Sequence, residues 1–302
     1  MSTEKKPRGI WWKSLLAAAL CLPLGATFVH QVEPELAASA SEEPINIALL
    51  GIGGEGHQGG NLADSIMVAS VRGEHAVLLS VPRDLYIDID GQREGRINAA
   101  HAIGEARSAD GIALITRALE GTLGIPIHHH VRVDFEGFVK AVDAVGGIVV
   151  RFDKPLNDSH FANEYGVLEF AAGDHLLDGR SALYVARSRM TSRRGDFDRA
   201  ERQRAIIDGF KNRLLSGDVL TSPSALTQII AAAGTHLASS LSAYDMWAAY
   251  HVARKVKHID SVGLGDIDGL LRPERINGAE VLVPASGDLA DIRHFVSRLV
   301  NG

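Results

Sequence analysis

Cysteine is almost absent: Cys21 is the only one in 302 residues. No intrachain disulfide can form, so the fold depends on its apolar core. There is no Walker-type phosphate loop, no GxSxG elbow, no internal repeat and no low-complexity tract. These absences exclude P-loop nucleotide hydrolysis and the hydrolase nucleophile elbow. An excess of positive charge is missing too, since the formal net charge is −6. That argues against nucleic acid as a partner, and nothing before Ile10 is long enough to be a DNA-binding module. What the chain has is 46% hydrophobic residues, enough for a sizeable core in one or two domains.

The N-terminus sets the expected compartment. Lys5, Lys6, Arg8 and Lys13 surround the start of an apolar run that carries Trp11 and Trp12. From Ile10 to Val29 the run has the roughly 20 residues that a bilayer-spanning helix needs. The positive flank predicts a cytoplasmic tail at 1–9, a signal-anchor at 10–30 and export of the remainder. A cleaved signal peptide competes, because LAASA, ending at Ala40, offers small residues. A lipoprotein site is excluded, since Leu20 rather than a small residue precedes Cys21. Residues 31–44 read as a linker, and the folded domain is expected over 45–302.

Within that domain strands and helices interleave. Strands are expected at Ile45–Leu50, Ser65–Val71, Ala76–Val81, His128–Val133, Ile148–Phe152, Ile259–Leu264 and Glu280–Pro284. Helices are expected at Ile97–Ala106, Gly111–Thr122, after the caps Asp134, Asp178 and Asp196, and at Ala243–Val256 and Asp288–Val300. The pattern predicts an α/β fold, a central mixed β-sheet flanked by helices on both faces. The strands at 65–81 are close enough for an antiparallel hairpin. GIGGEG at 51–56 has dinucleotide-fingerprint spacing, but a strand and not a helix is expected after it.

Basic residues concentrate locally. SALYVARSRMTSRRGDFDRAERQR, residues 181–204, holds seven arginines. Arg187 and Arg189 would share a side in extended chain, and Asp196, Arg199 and Gln203 would form one stripe on a helix. A solvated, salt-laced helix face is the ordinary explanation of such a run. Arginines beside an apolar face fit phosphate better, because the guanidinium fork matches phosphate oxygens in pairs. Asp64, ahead of SIMVASV, and VPRD at 81–84, after AVLLS, are further candidates at strand ends, with Arg96 of RINAA. Each aspartate could equally be a cap or a structural ion-pair partner; among arginines, a carboxylate could hold Mg²⁺ on a diphosphate or take a proton from an attacking hydroxyl. His128, His129 and His130 have no carboxylate or cysteine spaced to complete a metal site.

VPRDLYI with RINAAHA, then VDFEGFVKAVDAVGGIVV, then GDHLLDGRSALYVARSR and GDFDRAERQR, resemble the LytR–CpsA–Psr family in order and spacing. The resemblance covers 45–216 best. It implies a phosphotransferase that moves a glycopolymer phosphate from a polyprenyl-diphosphate carrier to a peptidoglycan hydroxyl, with Mg²⁺ assisting and an apolar pocket for the prenyl tail. By the same resemblance Arg83, Arg96, Arg187, Arg189 and Arg199 grip the diphosphate, with Gln203 in the polar lining. Asp64 serves the metal, and Asp84 and Asp196 orient arginines. Arg83, Asp84, Arg187 and Arg189 are the catalytic candidates, Asp84 as general base. Two departures from the family pattern stand out: Leu62 replaces an arginine, and the loop GIGGEGHQGG lacks a second metal-binding aspartate, for which Glu55 or His57 are the local substitutes. These departures keep two alternatives open: a non-catalytic polyprenyl-phosphate binder, and a polyprenyl-diphosphate pyrophosphatase.

Overall fold

The computed structural model describes residues 43–91, 93–108, 110–158, 166–188, 202, 205–210, 212–213, 228–229, 231–242, 245, 249, 252 and 255–301. The expected anchor at 10–30 and the candidates Arg189, Asp196, Arg199 and Gln203 lie outside the described residues. No helix among the described residues is long and apolar enough to cross a membrane.

Fourteen strands and five helices can be delimited from end to end among the described residues. The strands are β1 (Ile45–Ile52), β2 (Ala63–Arg72), β3 (His75–Ser80), β4 (Tyr86–Asp88), β5 (Glu94–Arg96), β6 (His129–Asp134) and β7 (Ile148–Phe152). They continue with β8 (Leu156–Asp158), β9 (Leu168–Phe170), β10 (Gly173–Leu177), β11 (Leu237–Ser239), β12 (His258–Gly263), β13 (Leu271–Ile276) and β14 (Ala279–Pro284). The helices are α1 (Ala99–Ser108), α2 (Gly111–Leu123), α3 (Phe135–Ala144), α4 (Gly179–Arg187) and α5 (Ala290–Asn301).

Six strands form the central sheet in the order β11-β6-β1-β2-β3-β12. β1 pairs with β6 in parallel and with β2 antiparallel, and β12 runs parallel to β3. The sheet is mixed, as the sequence pattern predicts. Turn chemistry sets its registers. Gly73, with φ 56°, takes the first central position of the two-residue β2–β3 turn, as a II′ turn requires. Asn277 and Gly278 both have positive φ in the β13–β14 hairpin, the signature of a I′ turn.

Alternation along the strands separates the two faces. Ala48, Leu50, Ile66, Val68 and Leu79 point to one face and are at most 2% exposed. They pack with Ile115 and Leu119 of α2 and Ile292 and Val296 of α5 in the main core. Ile47, Leu49, Ala69, Leu78 and Val131 point to the opposite face and stay partly exposed. A second core joins Val142 of α3, Ala182 and Val185 of α4, and Ile148, Val150 and Leu177 of the β7–β10 ribbon. Asp134 and Asp178 cap α3 and α4 as their sequence positions predict, accepting from the Gly137 and Ser181 amides. Asp110, not singled out in the sequence, caps α2 in the same way.

Candidate functional site

β1, β3, β6 and β12 run in one direction, so their carboxyl ends share an edge of the sheet. The described site candidates gather there, where open α/β sheets place their ligands. β2 runs the other way, which brings Asp64 at its start to the same edge. Val81 leaves β3 with its amide on the Ile66 carbonyl, 2.9 Å away, and delivers Arg83 and Asp84 beside Asp64.

Four of the predicted residues form an alternating chain of charge. Arg83 Nη1 donates to Asp64 Oδ1 at 2.6 Å. Arg83 Nε lies 3.5 Å from Asp84 Oδ2, and Arg96 Nε lies 3.3 Å from Asp84 Oδ1. Their side chains are between 20% and 38% exposed, so each keeps a wet side. Pairs this exposed add little to stability, and their value here is orientation: two carboxylates aim two guanidinium groups.

Backbone contacts fix this chain from below. The buried Asn98 donates its amide to the Arg83 carbonyl at 3.2 Å and accepts from the Ala63 amide at 3.1 Å. It therefore ties the Arg83 segment to the Asp64 segment. The C-terminal hairpin adds a second brace. Leu282 N–H donates to the Asp84 carbonyl at 3.0 Å, and Arg96 Nη2 donates to the Glu280 carbonyl at 2.8 Å.

Arg187 sits in the last turn of α4, with its Cζ 4.6 Å from the centre of the Phe135 ring. The turn is anchored just beyond it. Ser188 and Asp158 are both fully buried, and the Ser188 hydroxyl donates to the Asp158 carboxylate. Phe135 opens α3 directly after its cap. It also meets the His57 ring edge-on, with centroids 5.2 Å apart and an interplanar angle of 70°. From sequence the apolar helix 135–145 could line a prenyl tunnel or be an ordinary core helix, and no local signal paired Phe135 with Arg187. Asp134, beneath it, has a second partner: its Oδ2 lies 2.8 Å from His236 Nδ1.

The glycine loop folds back on itself. The Gly54 amide donates to the Gly60 carbonyl at 2.9 Å, and a Cβ on Gly60 would lie 2.1 Å from the Gly54 oxygen. β2 follows it, so the dinucleotide reading is excluded by context as expected. Glu55 and His57 are exposed on this loop. Among the described residues no group of three His, Cys, Asp or Glu could hold a metal. Asp64 is the candidate that fits Mg²⁺, which commonly takes one or two carboxylates and completes its shell with substrate phosphates and water. His128 Nδ1 accepts from the Asn46 amide at 3.0 Å, and burial lowers the proton affinity of His130.

A curated relative from Enterococcus faecalis, polyisoprenyl-teichoic acid–peptidoglycan teichoic acid transferase TagU, is 34% identical over 211 residues, 68% of this chain and 64% of the relative. Its namesake from Oceanobacillus iheyensis is 32% identical over 193 residues, 63% of this chain and 57% of the relative. The chain therefore spans less than two thirds of the length of these curated relatives. The crystal structure of B. subtilis TagV superposes with a TM-score of 0.69 at 24% identity, covering 86% of this chain and 98% of that one. A structure of TagT bound to LI-WTA superposes with a TM-score of 0.67 at 20% identity, covering 86% of this chain and 92% of that one. These likenesses establish the fold, an α/β architecture around a central mixed sheet. The LytR_cpsA_psr family model matches residues 26–293, and this chain belongs to that family.

Proposed function

We propose that this protein transfers a glycopolymer phosphate from a polyprenyl-diphosphate carrier to a hydroxyl of peptidoglycan, with a polymer of the teichoic-acid class as cargo. The observation that carries the reading is the Asp64–Arg83–Asp84–Arg96 chain at the carboxyl edge of the sheet. Family membership and the printed activity of the TagU relatives support it. The partly exposed apolar face with Ile47, Leu49, Leu78 and Val131 offers a surface for the prenyl tail. The domain works on the extracytoplasmic side of the cytoplasmic membrane, held by the anchor at 10–30.

The acceptor hydroxyl oxygen forms a bond to the phosphorus that carries the polymer sugar. The bond from that phosphorus to the bridging oxygen breaks, and prenyl monophosphate leaves with the electron pair. Arg83, Arg96 and Arg187 hold the phosphate oxygens and oppose the charge that develops on them. Arg189, Arg199 and Gln203 extend that grip, and Asp196 orients the arginines near it. Asp64 would hold Mg²⁺, and the ion would supply further neutralisation of diphosphate charge. Asp84 orients Arg83 and Arg96, one on each oxygen, and receives the proton of the attacking hydroxyl.

The test uses a synthetic polyprenyl-diphosphate-linked oligosaccharide and peptidoglycan fragments, with acceptor-dependent release of prenyl monophosphate as the readout. Arg83→Ala and Arg187→Ala each lose about 1.5–3 kcal/mol of stabilisation, a rate loss of roughly ten- to 150-fold. Native rates in folded variants would falsify the assignment. Release of prenyl monophosphate and oligosaccharide phosphate without any acceptor makes the protein a pyrophosphatase, and bound lipid without turnover makes it a non-catalytic binder. Asp84→Asn keeps an oxygen toward one arginine and removes the base. Its expected signature is a fall in kcat that exceeds the accompanying loss of donor affinity.

A further inference from the structure

Two kinds of partner orient the arginines of this site. Arg83 and Arg96 face carboxylates, and the contacts of Arg187 include an aromatic ring, with its Cζ 4.6 Å from the ring centre. We propose that Phe135 is a positioning residue for Arg187, holding its guanidinium by a cation–π contact so that it meets the diphosphate. This rests on the reading that Arg187 binds that diphosphate.

The ring is itself held from several sides. Asp134 fixes the first turn of α3 by accepting from the Gly137 amide at 2.8 Å. Gly54 presses against Asp134 so closely that a Cβ there would lie 2.9 Å from the aspartate Cβ. His57 meets the ring edge-on from the glycine loop. A phenylalanine at this point is consequently placed by the strand end, the helix cap and the loop together. Apolar packing alone does not call for that placement, because the neighbouring Val139 and Val142 supply the buried face of α3.

The chemistry differs from that of a carboxylate partner. A ring face attracts the cation through its quadrupole and consumes no N–H donor. It adds no negative charge next to an incoming diphosphate. The same loop that carries His57 leads into Asp64, so one segment meets the Phe135 ring and delivers Asp64.

Stepwise fluorination of the ring isolates this effect, since fluorine drains the negative face while leaving ring shape nearly unchanged. Phe135 is replaced by 4-fluoro-, 3,5-difluoro- and 3,4,5-trifluorophenylalanine in the full chain in detergent. Farnesyl diphosphate is the probe, with Kd from calorimetry and Tm as the check on folding. Affinity is expected to fall with each fluorine, by about five- to thirtyfold across the series, at constant Tm. In an Arg187→Gln background the series is expected to be flat. A flat series in the native background, or an equal slope in the Arg187→Gln background, overturns the role of Phe135. If Arg83→Ala and Arg187→Gln still lose affinity in that case, the diphosphate reading stands without it. If those arginine variants bind as the native protein does, the diphosphate reading fails and this role fails with it.

Discussion

At the scale of single residues, Asp134 carries two duties on one carboxylate. Oδ1 caps α3 through the Gly137 amide and Oδ2 meets His236 Nδ1, each at 2.8 Å. Asp134→Ala removes both and is expected to cost about 0.5–2 kcal/mol from the cap alone. Asp134→Asn keeps a capping oxygen and should recover most of that loss. Urea unfolding midpoints of the two variants distinguish cap from ion pair. This residue also marks how far the sequence could be read. Its capping role was legible, because Asp ahead of an apolar-periodic stretch is a local signal. Its contact with His236 was not, because the partners are 102 positions apart and nothing local encodes such a meeting. The same holds for the charge chain: Asp64, Arg83, Asp84 and Arg96 could be nominated by type and position, but their alternating order is a product of strand direction. Arg189, Asp196, Arg199 and Gln203 fall outside the described residues and remain proposals.

At the scale of elements, α3 and α4 approach each other backbone to backbone. A Cβ on Gly179 would lie 2.2 Å from the Val139 carbonyl oxygen and 2.8 Å from the Val139 Cα. Gly179 also donates its amide to Asp143 Oδ1 at 2.8 Å. No side chain there can yield, so Gly179→Ala must push the helices apart. The expected cost is about 1–3 kcal/mol, read as a lower denaturation midpoint. Because α4 ends in Arg187, the same variant should weaken diphosphate binding even where it is fully folded. The main strands and helices were visible in the sequence within a residue or two at their ends. β4, β5, β8, β9, β10, β11 and β13 were not, since three-residue strands, the polar opening of GDHLL and the Arg- and Glu-bearing LRPERI lack the apolar run or alternation that betrays a strand.

At the scale of the whole molecule, the main core encloses an ionisable group. His101 is fully buried, with Nδ1 2.8 Å from the Asn61 carbonyl. Burial pushes its proton affinity below the ordinary value of 6.5, against the opposing pulls of that hydrogen bond and of Glu105. The folded protein thus keeps His101 neutral where the unfolded chain would take up a proton. Stability from this group is complete above about pH 6.5 and is lost as pH falls below it. Thermal melts between pH 7 and pH 5 should show Tm falling, and His101→Gln should flatten the decline. An equal slope in that variant would assign the pH dependence to other groups.

The brace between the C-terminal hairpin and the charge chain has a consequence in time. Arg96 and Glu280 are separated by 184 positions, and β12 must also arrive before the sheet has its last strand. At about 5–20 residues per second, synthesis leaves an interval of roughly 10–40 s between the first half of the contact and the second. Throughout that interval the growing chain already contains Asp64, Arg83, Asp84 and Arg96 but lacks the hairpin's two contacts to Arg96 and to the Asp84 backbone. A chain released before position 280 would carry every acidic and basic member of that row and still present no finished cradle for an anion.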